Sequence, residues 1–193
     1  HLMAVMWVET NKTFSTSLVK LLPNGKFRAD GTPKKENRGL NEDEIKSLPQ
    51  DFVGAVGLIQ FTPVAIDELN NYYGYSLSKR KLALMTQLVQ LDYIEKYIEF
   101  WIKANKITSK LTLADLYLLI FSPSKMDGSN DSTTLYKEGT VYYNANKSID
   151  TDKVNGITKK ELAYRAYESL EEGSKKENKS SIFTCGINNE KKI

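Results

Sequence analysis

Apolar residues recur along this chain mostly at helical spacing, and Thr, Ser, Asn, Pro and Gly punctuate the runs. The first run, Met3-Ala4-Val5-Met6-Trp7-Val8, ends on Glu9 and reads as the buried face of a helix closing on a carboxylate. It lacks a basic flank and a small-residue cleavage site, so it does not read as a signal segment. Asn41 can cap a short helix opened by Glu42-Asp43-Glu44 and stopped by Pro49. Thr62-Pro63 reads as an N-cap followed by a first-turn proline, for a helix running to about Tyr73 and closed by Gly74. The longest signal spans Ser78 to Asn105, where Leu84, Leu88, Leu91, Ile94, Ile98 and Trp101 recur at helical spacing. Leu82, Met85, Val89, Tyr97 and Phe100 add a second stripe, which predicts a central, buried helix. Leu113 to Phe121 predicts another buried helix, ended by Ser122-Pro123. Thr158 and Glu161 form a capping-box pattern before a last helix through Leu170, ended by Gly173. Strand signals are sparse, Thr140-Val141-Tyr142-Tyr143 being the best candidate. Asn11 to Asn37 is polar, with turn signals at Pro23-Asn24-Gly25 and Asp30-Gly31-Thr32-Pro33, and predicts a long loop region beside Glu9. The expected architecture is mainly α, within the α+β range: one helical domain over residues 1–173 around a central buried helix, then a Lys/Asn-rich, partly ordered tail over 174–193.

Composition narrows the chemistry. At 193 residues, 40% hydrophobic and 26% charged, the chain has room for one sizeable core. A net charge of +3 suits an anionic surface such as a cell wall but is too small to argue for nucleic acid. No stretch is long and apolar enough to span a bilayer. The single cysteine, Cys185, cannot form an intramolecular disulfide. The only histidine is His1, which argues against a histidine base, a Ser-His-Asp triad or a His-ligated zinc. Acid-base chemistry must therefore come from carboxylates, tyrosine or lysine.

Glu9 is the best placed of these groups. A carboxylate set against Trp7 and Val8 is poorly solvated, and desolvation disfavours its charged form, as a general acid near neutral pH requires. About fifty residues later stands Gly54-Ala55-Val56-Gly57-Leu58-Ile59-Gln60-Phe61. Gly54 and Gly57 allow a bulky ligand close to the backbone, Leu58 and Ile59 anchor the segment, and Gln60 offers both a donor and an acceptor.

Glu9-Thr10 at a helix end followed by Gly-Leu-Ile-Gln resembles the soluble lytic transglycosylases and goose-type lysozymes over about the first 75 residues. DLYLLIFSPS (115–124) and IDTDKVNGITKKE (149–161) are similar to lysozyme-like domains of phage tails and endolysins. The resemblance implies a lysozyme-like fold and cleavage of peptidoglycan between N-acetylmuramic acid and N-acetylglucosamine. It implies Glu9 as the catalytic acid, and Thr10, Gln60, Phe61 and Tyr117 at the substrate. The family's Tyr-Asn-Ala-Gly motif is absent, so Tyr117 rests on position alone. The implied partners are glycan strands and other phage tail proteins. The implied place of action is the cell wall or periplasm, with the protein itself virion-associated.

Two mechanisms compete. Hydrolysis needs a second carboxylate, for which Asp51 and Asp30 are the candidates. The position after the motif that carries an acid in goose-type enzymes is Thr62, and Asp51 stands one residue out of the family spacing. A lytic transglycosylase needs only one carboxyl group, and this single-acid route is the expectation; a non-catalytic wall-binding or virion structural module is the rival outside enzymes. No cofactor is required. Asp150, Asp152, Thr158 and Glu161 occupy positions one, three, nine and twelve of a calcium loop. Val154 stands at position five, so any calcium is expected to bind weakly, and a metal-free helix-capping turn fits the pattern equally well.

Overall fold

The computed structural model describes residues 1–27, 31, 33–50, 52–126 and 130–175. Among them, in chain order, lie helix α1 (Leu2–Glu9), strands β1 (Leu18–Phe27) and β2 (Pro33–Gly39), and helices α2 (Glu42–Ser47), α3 (Pro63–Tyr73), α4 (Lys79–Leu84), α5 (Gln87–Ala104) and α6 (Leu113–Phe121). A one-turn helix at Pro123–Lys125 comes next, then β3 (Thr134–Tyr136), α7 (Val141–Asn146), β4 (Ile157–Thr158) and α8 (Lys159–Ser174). Among the described residues the protein is mainly helical with two small antiparallel sheets, β1-β2 and β3-β4. The described residues form two compact units, one within residues 9–109 and the other of residues 1–8 with those described from 110 to 175.

Most helix ends are set by single side chains. Asn41 Oδ1 accepts from the Glu44 amide while the Glu44 carboxylate returns to the Asn41 amide. Thr62 caps α3 ahead of Pro63, and Gly74 closes it in the left-handed conformation at φ 71°. Thr158 and Glu161 form the box that starts α8. Thr112 and Asp115 form another at α6.

Four expectations are corrected. The region after α1 is not a loop: β1 and β2 pair as an antiparallel hairpin, with Leu18 opposite Gly39 and Phe27 opposite Pro33. Two register shifts, between Val19 and Leu22 and between Pro23 and Phe27, let the strand absorb its turn-forming residues. The helix expected over Ser78 to Asn105 is two helices, because Met85 turns extended at ψ 152° and Thr86 caps α5 afresh. Consequently Leu84 and Leu88 are exposed, and only Gln90, Ile94 and Tyr97 of α5 are fully buried. Thr140 to Tyr143 is not a strand; the Thr140 hydroxyl accepts from the Tyr143 amide and starts α7. Gly173 does not end the last helix, which runs on to Ser174.

In the unit of residues 9–109, α3 packs on α5 and α2 on α4. Val19, Val56, Leu58, Phe61, Leu69, Leu82 and Ile94 form the fully buried core. Phe61 meets Tyr97 edge to face at 6.0 Å. Arg80 of α4 donates from both Nε and Nη2 to the Leu48 carbonyl at the end of α2.

In the other unit, α6 packs on α8, and a buried ion pair ties them: Lys159 Nζ lies 2.5 Å from Asp115 Oδ1. Burial alone would push the Asp115 carboxyl up, but Lys159 and the Thr112 amide and hydroxyl outweigh it and hold the group below its ordinary range. A depressed folded pKa stabilises the fold above the unfolded value, and that contribution is lost as pH falls through the folded value. Lys159→Met should therefore destabilise the protein by roughly 3 kcal/mol in urea titrations at neutral pH. The deficit should begin to shrink as pH falls below the ordinary aspartate range of about 4 and vanish as pH falls through the lowered folded value of Asp115; a deficit that stays constant from pH 7 down to the acid limit of folding would refute this role.

Candidate functional site

Glu9 is the last residue of α1 and is 8% exposed. Thr10 is fully buried and organises the chain reversal beyond the helix: its hydroxyl accepts from the Phe14 amide at 2.9 Å, and its carbonyl takes the Thr13 amide and hydroxyl. Asn11, Lys12 and Phe14 all have positive φ, at 49°, 70° and 50°. Left-handed backbone costs non-glycine residues about 1 kcal/mol or more each, so this passage is held by its surroundings. It reverses the chain into β1 and returns Lys20 to Glu9, where Nζ donates to Oε2 at 2.8 Å. Nothing in the local sequence singles out Lys20 for this role.

The same strand receives the glycine-rich motif. The Lys20 amide donates to the Ala55 carbonyl at 3.0 Å and the Gly57 amide to the Leu18 carbonyl at 2.9 Å. Val56 and Phe61 then exchange both backbone hydrogen bonds, so residues 56–61 close as a tight reverse turn lying against β1. Glu9 and the motif are thus joined through one residue, Lys20, by its side chain on one side and its amide on the other.

The glycines serve the protein's own packing rather than a ligand. A Cβ on Gly54 would fall 2.2 Å from the Lys20 carbonyl oxygen, and one on Gly57 2.5 Å from Gln90 Oε1. Gln90 is a site residue that the sequence reasoning missed. Fully buried, it accepts from the Leu58 amide at 2.6 Å and donates to the Leu82 carbonyl at 2.8 Å and to the Thr16 carbonyl at 3.4 Å. A signal exists: a glutamine on the face of α5 that also presents Ile94 and Tyr97 is a polar group on an apolar stripe, and such a group is buried only when paired.

Gln60 sits in the turn at φ 58°. Its Nε2 donates to the Gly57 carbonyl at 2.7 Å and the Leu18 carbonyl at 3.2 Å, while Oε1 is buried and meets no donor among the described residues. Phe61 is 1% exposed and packs in the core. Glu9, Thr10, Gln60 and Phe61 therefore share one unit. Tyr117 belongs to the other, where it is buried, stacks on Phe121 and borders a small pocket with Glu161 and Arg165. Asp30 and Asp51 lie outside the described residues, as does the tail beyond residue 175.

The late acidic loop gathers Asp150, Asp152 and Glu161, with one oxygen of each inside a 4.8 Å set. Those carboxylates already have partners. Glu161 takes the Thr151 and Asp152 amides on Oε1 and the Thr158 amide and hydroxyl on Oε2. Burial would raise its pKa, but these donors more than offset that and lower it. Asp150 accepts from the Lys153 amide and the Tyr143 hydroxyl, and Asp152 from the Val154 amide. A calcium ion would use Asp150, Asp152 and Glu161 but would have to displace these bonds, and Thr158 directs its hydroxyl to Glu161. Among the described residues no helix is long and apolar enough to cross a membrane. No family model, curated protein or solved structure matches the chain.

Two outcomes check this site. Gly57→Ala forces a side chain into left-handed backbone and against Gln90, and should lower unfolding free energy by about 2 kcal/mol or more; a melting temperature equal to wild type would contradict the close approach. Adding about 5 mM calcium in place of chelator should raise the melting temperature by no more than about 2 °C, as for a weak ligand; a much larger rise would show that the loop is a true calcium site.

Proposed function

We propose that this chain cleaves the glycan strand of bacterial peptidoglycan between N-acetylmuramic acid and N-acetylglucosamine as a lytic transglycosylase, with Glu9 as its one catalytic carboxyl group. The observation that carries the reading is the joint at Lys20, which ties a buried helix-end carboxylate to the GAVGLIQF turn. These are the two sequence features on which the resemblance to lytic transglycosylases and goose-type lysozymes stands.

In the proposed reaction, Glu9 donates its proton to the glycosidic oxygen as the bond from muramic C1 breaks. The leaving N-acetylglucosamine departs as an alcohol. The Glu9 carboxylate then takes the proton from the muramic 6-hydroxyl, whose oxygen bonds to C1 and closes the 1,6-anhydro ring. The acid is regenerated and no water is consumed. Glu9 has to hold a proton when the strand is bound, so the Lys20 contact has to re-aim as substrate enters; the ammonium then becomes a donor for the sugar. The turn joined to Glu9 through Lys20, with its backbone paired by Gln60 and Gln90, supplies a preorganised wall in this reading. The site of action is the cell wall, and a phage tail or endolysin is the setting that the resemblance implies.

The test is digestion of purified peptidoglycan followed by mass spectrometry. Wild type should release anhydro-muropeptides, and Glu9→Gln should reduce release by at least about a thousandfold, on the scale of losing a general acid. Reducing ends in place of anhydro ends would mean hydrolysis with a second carboxylate such as Asp51 or Asp30. Equal wall clearance by Glu9→Gln would remove Glu9 as the acid, and no release by folded wild type would leave a wall-binding or structural module.

A further inference from the structure

In the unit that holds α6 and α8, a cavity of about 250 Å3 lies between Tyr117 of α6, the end of α7 and the first two turns of α8. It is smaller than a drug-sized site, so its occupant is small. Tyr117 and Leu162 are buried and, with half-buried Ile149, give it an apolar floor. Arg165 is the cation of its lining and Glu161 the carboxylate. The two stand four residues apart on α8, a spacing at which opposite charges pair, as Glu42 and Lys46 do on α2 at 2.6 Å. Glu161 and Arg165 form no such pair. Both Glu161 oxygens are engaged elsewhere: Oε1 takes the Thr151 amide and hydroxyl, and Oε2 the Thr158 amide and hydroxyl. Glu168, three residues beyond Arg165, accepts from the Tyr164 hydroxyl. Among the described residues no carboxylate pairs with the Arg165 guanidinium.

The other groups of the lining narrow the ligand. Asn146 spends its Nδ2 on the Tyr142 carbonyl, which leaves Oδ1 as an acceptor. Ser148 brings a hydroxyl to the same lining. A single guanidinium matches one singly charged, planar carboxylate through its fork of donors. A dianionic phosphate would keep surplus negative charge beside Glu161, and a neutral sugar would leave the guanidinium unmatched. The C-terminus of a short peptide of small residues meets all these groups at once. It offers a carboxylate for Arg165, an amide N–H for Asn146 Oδ1, and methyl groups for the floor of Tyr117, Ile149 and Leu162.

We infer that the Arg165 cavity binds the C-terminal carboxylate of a short peptide of small residues. The site belongs to the unit without Glu9, and it stands or falls independently of glycan cleavage. N-acetyl-L-alanyl-L-alanine is titrated into the full chain, following backbone amides by NMR. Its terminal amide, which lacks the charge, and inorganic phosphate are titrated beside it. Wild type should show saturable shifts at residues 148–151 and at the start of α8 with the acid. The terminal amide on wild type, and the acid on Arg165→Gln, should each bind roughly three- to fivefold more weakly, the scale of one exposed ion pair. Arg165→Lys keeps the charge but loses the fork, and should fall between wild type and Arg165→Gln. The terminal-amide arm uses unaltered protein, so it refutes or supports the inference whatever the substitutions do to folding. Absence of saturable shifts in wild type, equal affinity for acid and amide, unchanged affinity in folded Arg165→Gln, or phosphate binding as tightly as the peptide overturns the inference.

Discussion

The backbone seam between β1 and the glycine-rich turn is the constraint on which the candidate site depends. Two hydrogen bonds make it, from the Lys20 amide to Ala55 and from the Gly57 amide to Leu18. They require the chain after Glu9 to reverse through a left-handed passage, and they require small residues where β1 and Gln90 come close. Buried backbone groups must be paired, so the seam leaves the turn little freedom. Gln60 and Gln90 then use their amides to pair the groups that the seam leaves open: the Gly57 carbonyl, the Leu58 amide and the Leu82 carbonyl.

That arrangement changes what the glutamines and glycines of the motif mean. By sequence Gln60 is a sugar contact; in the fold its amide nitrogen holds the turn, and only Oε1 is left without a donor among the described residues. By sequence the glycines make room for a ligand, and in the fold that room is filled by the protein itself. Under the proposed function such a wall would act by preorganisation, since a surface already paired costs no reorganisation when charge develops next to it. Glu9 Oε2 in turn accepts from the Lys20 ammonium.

The late loop shows how one pattern can serve two ends. Asp150, Asp152, Thr158 and Glu161 have the spacing of a calcium loop, and the structure does gather the three carboxylates. Yet Glu161 is also the N3 residue of a capping box, and its oxygens are taken by backbone donors of the loop and the helix start. The spacing was legible in the sequence. Among the described residues the local fold brings amide and hydroxyl donors onto the same oxygens, because the capping box and its loop lie within a few residues of Glu161.

Helix starts at Asn41, Thr62 and Thr158, the close of α3 at Gly74 and the bounds of α6 were determined by the sequence alone. Each depends on a side chain and an amide three residues away, or on a glycine at its own φ, and such effects are complete within one turn of chain. The candidacy of Glu9 was equally local, since a carboxylate ending an apolar run is visible as such. The β1-β2 hairpin, the break of the long helix at Thr86, the Lys20 partner and the buried Gln90 were decided only by tertiary structure. Lys20 meets Glu9 across 11 residues of sequence and Gln90 meets Leu58 across 32. Hydrophobic spacing records which face a residue shows to its own helix; it does not record which distant amide or carboxylate the fold will bring against it.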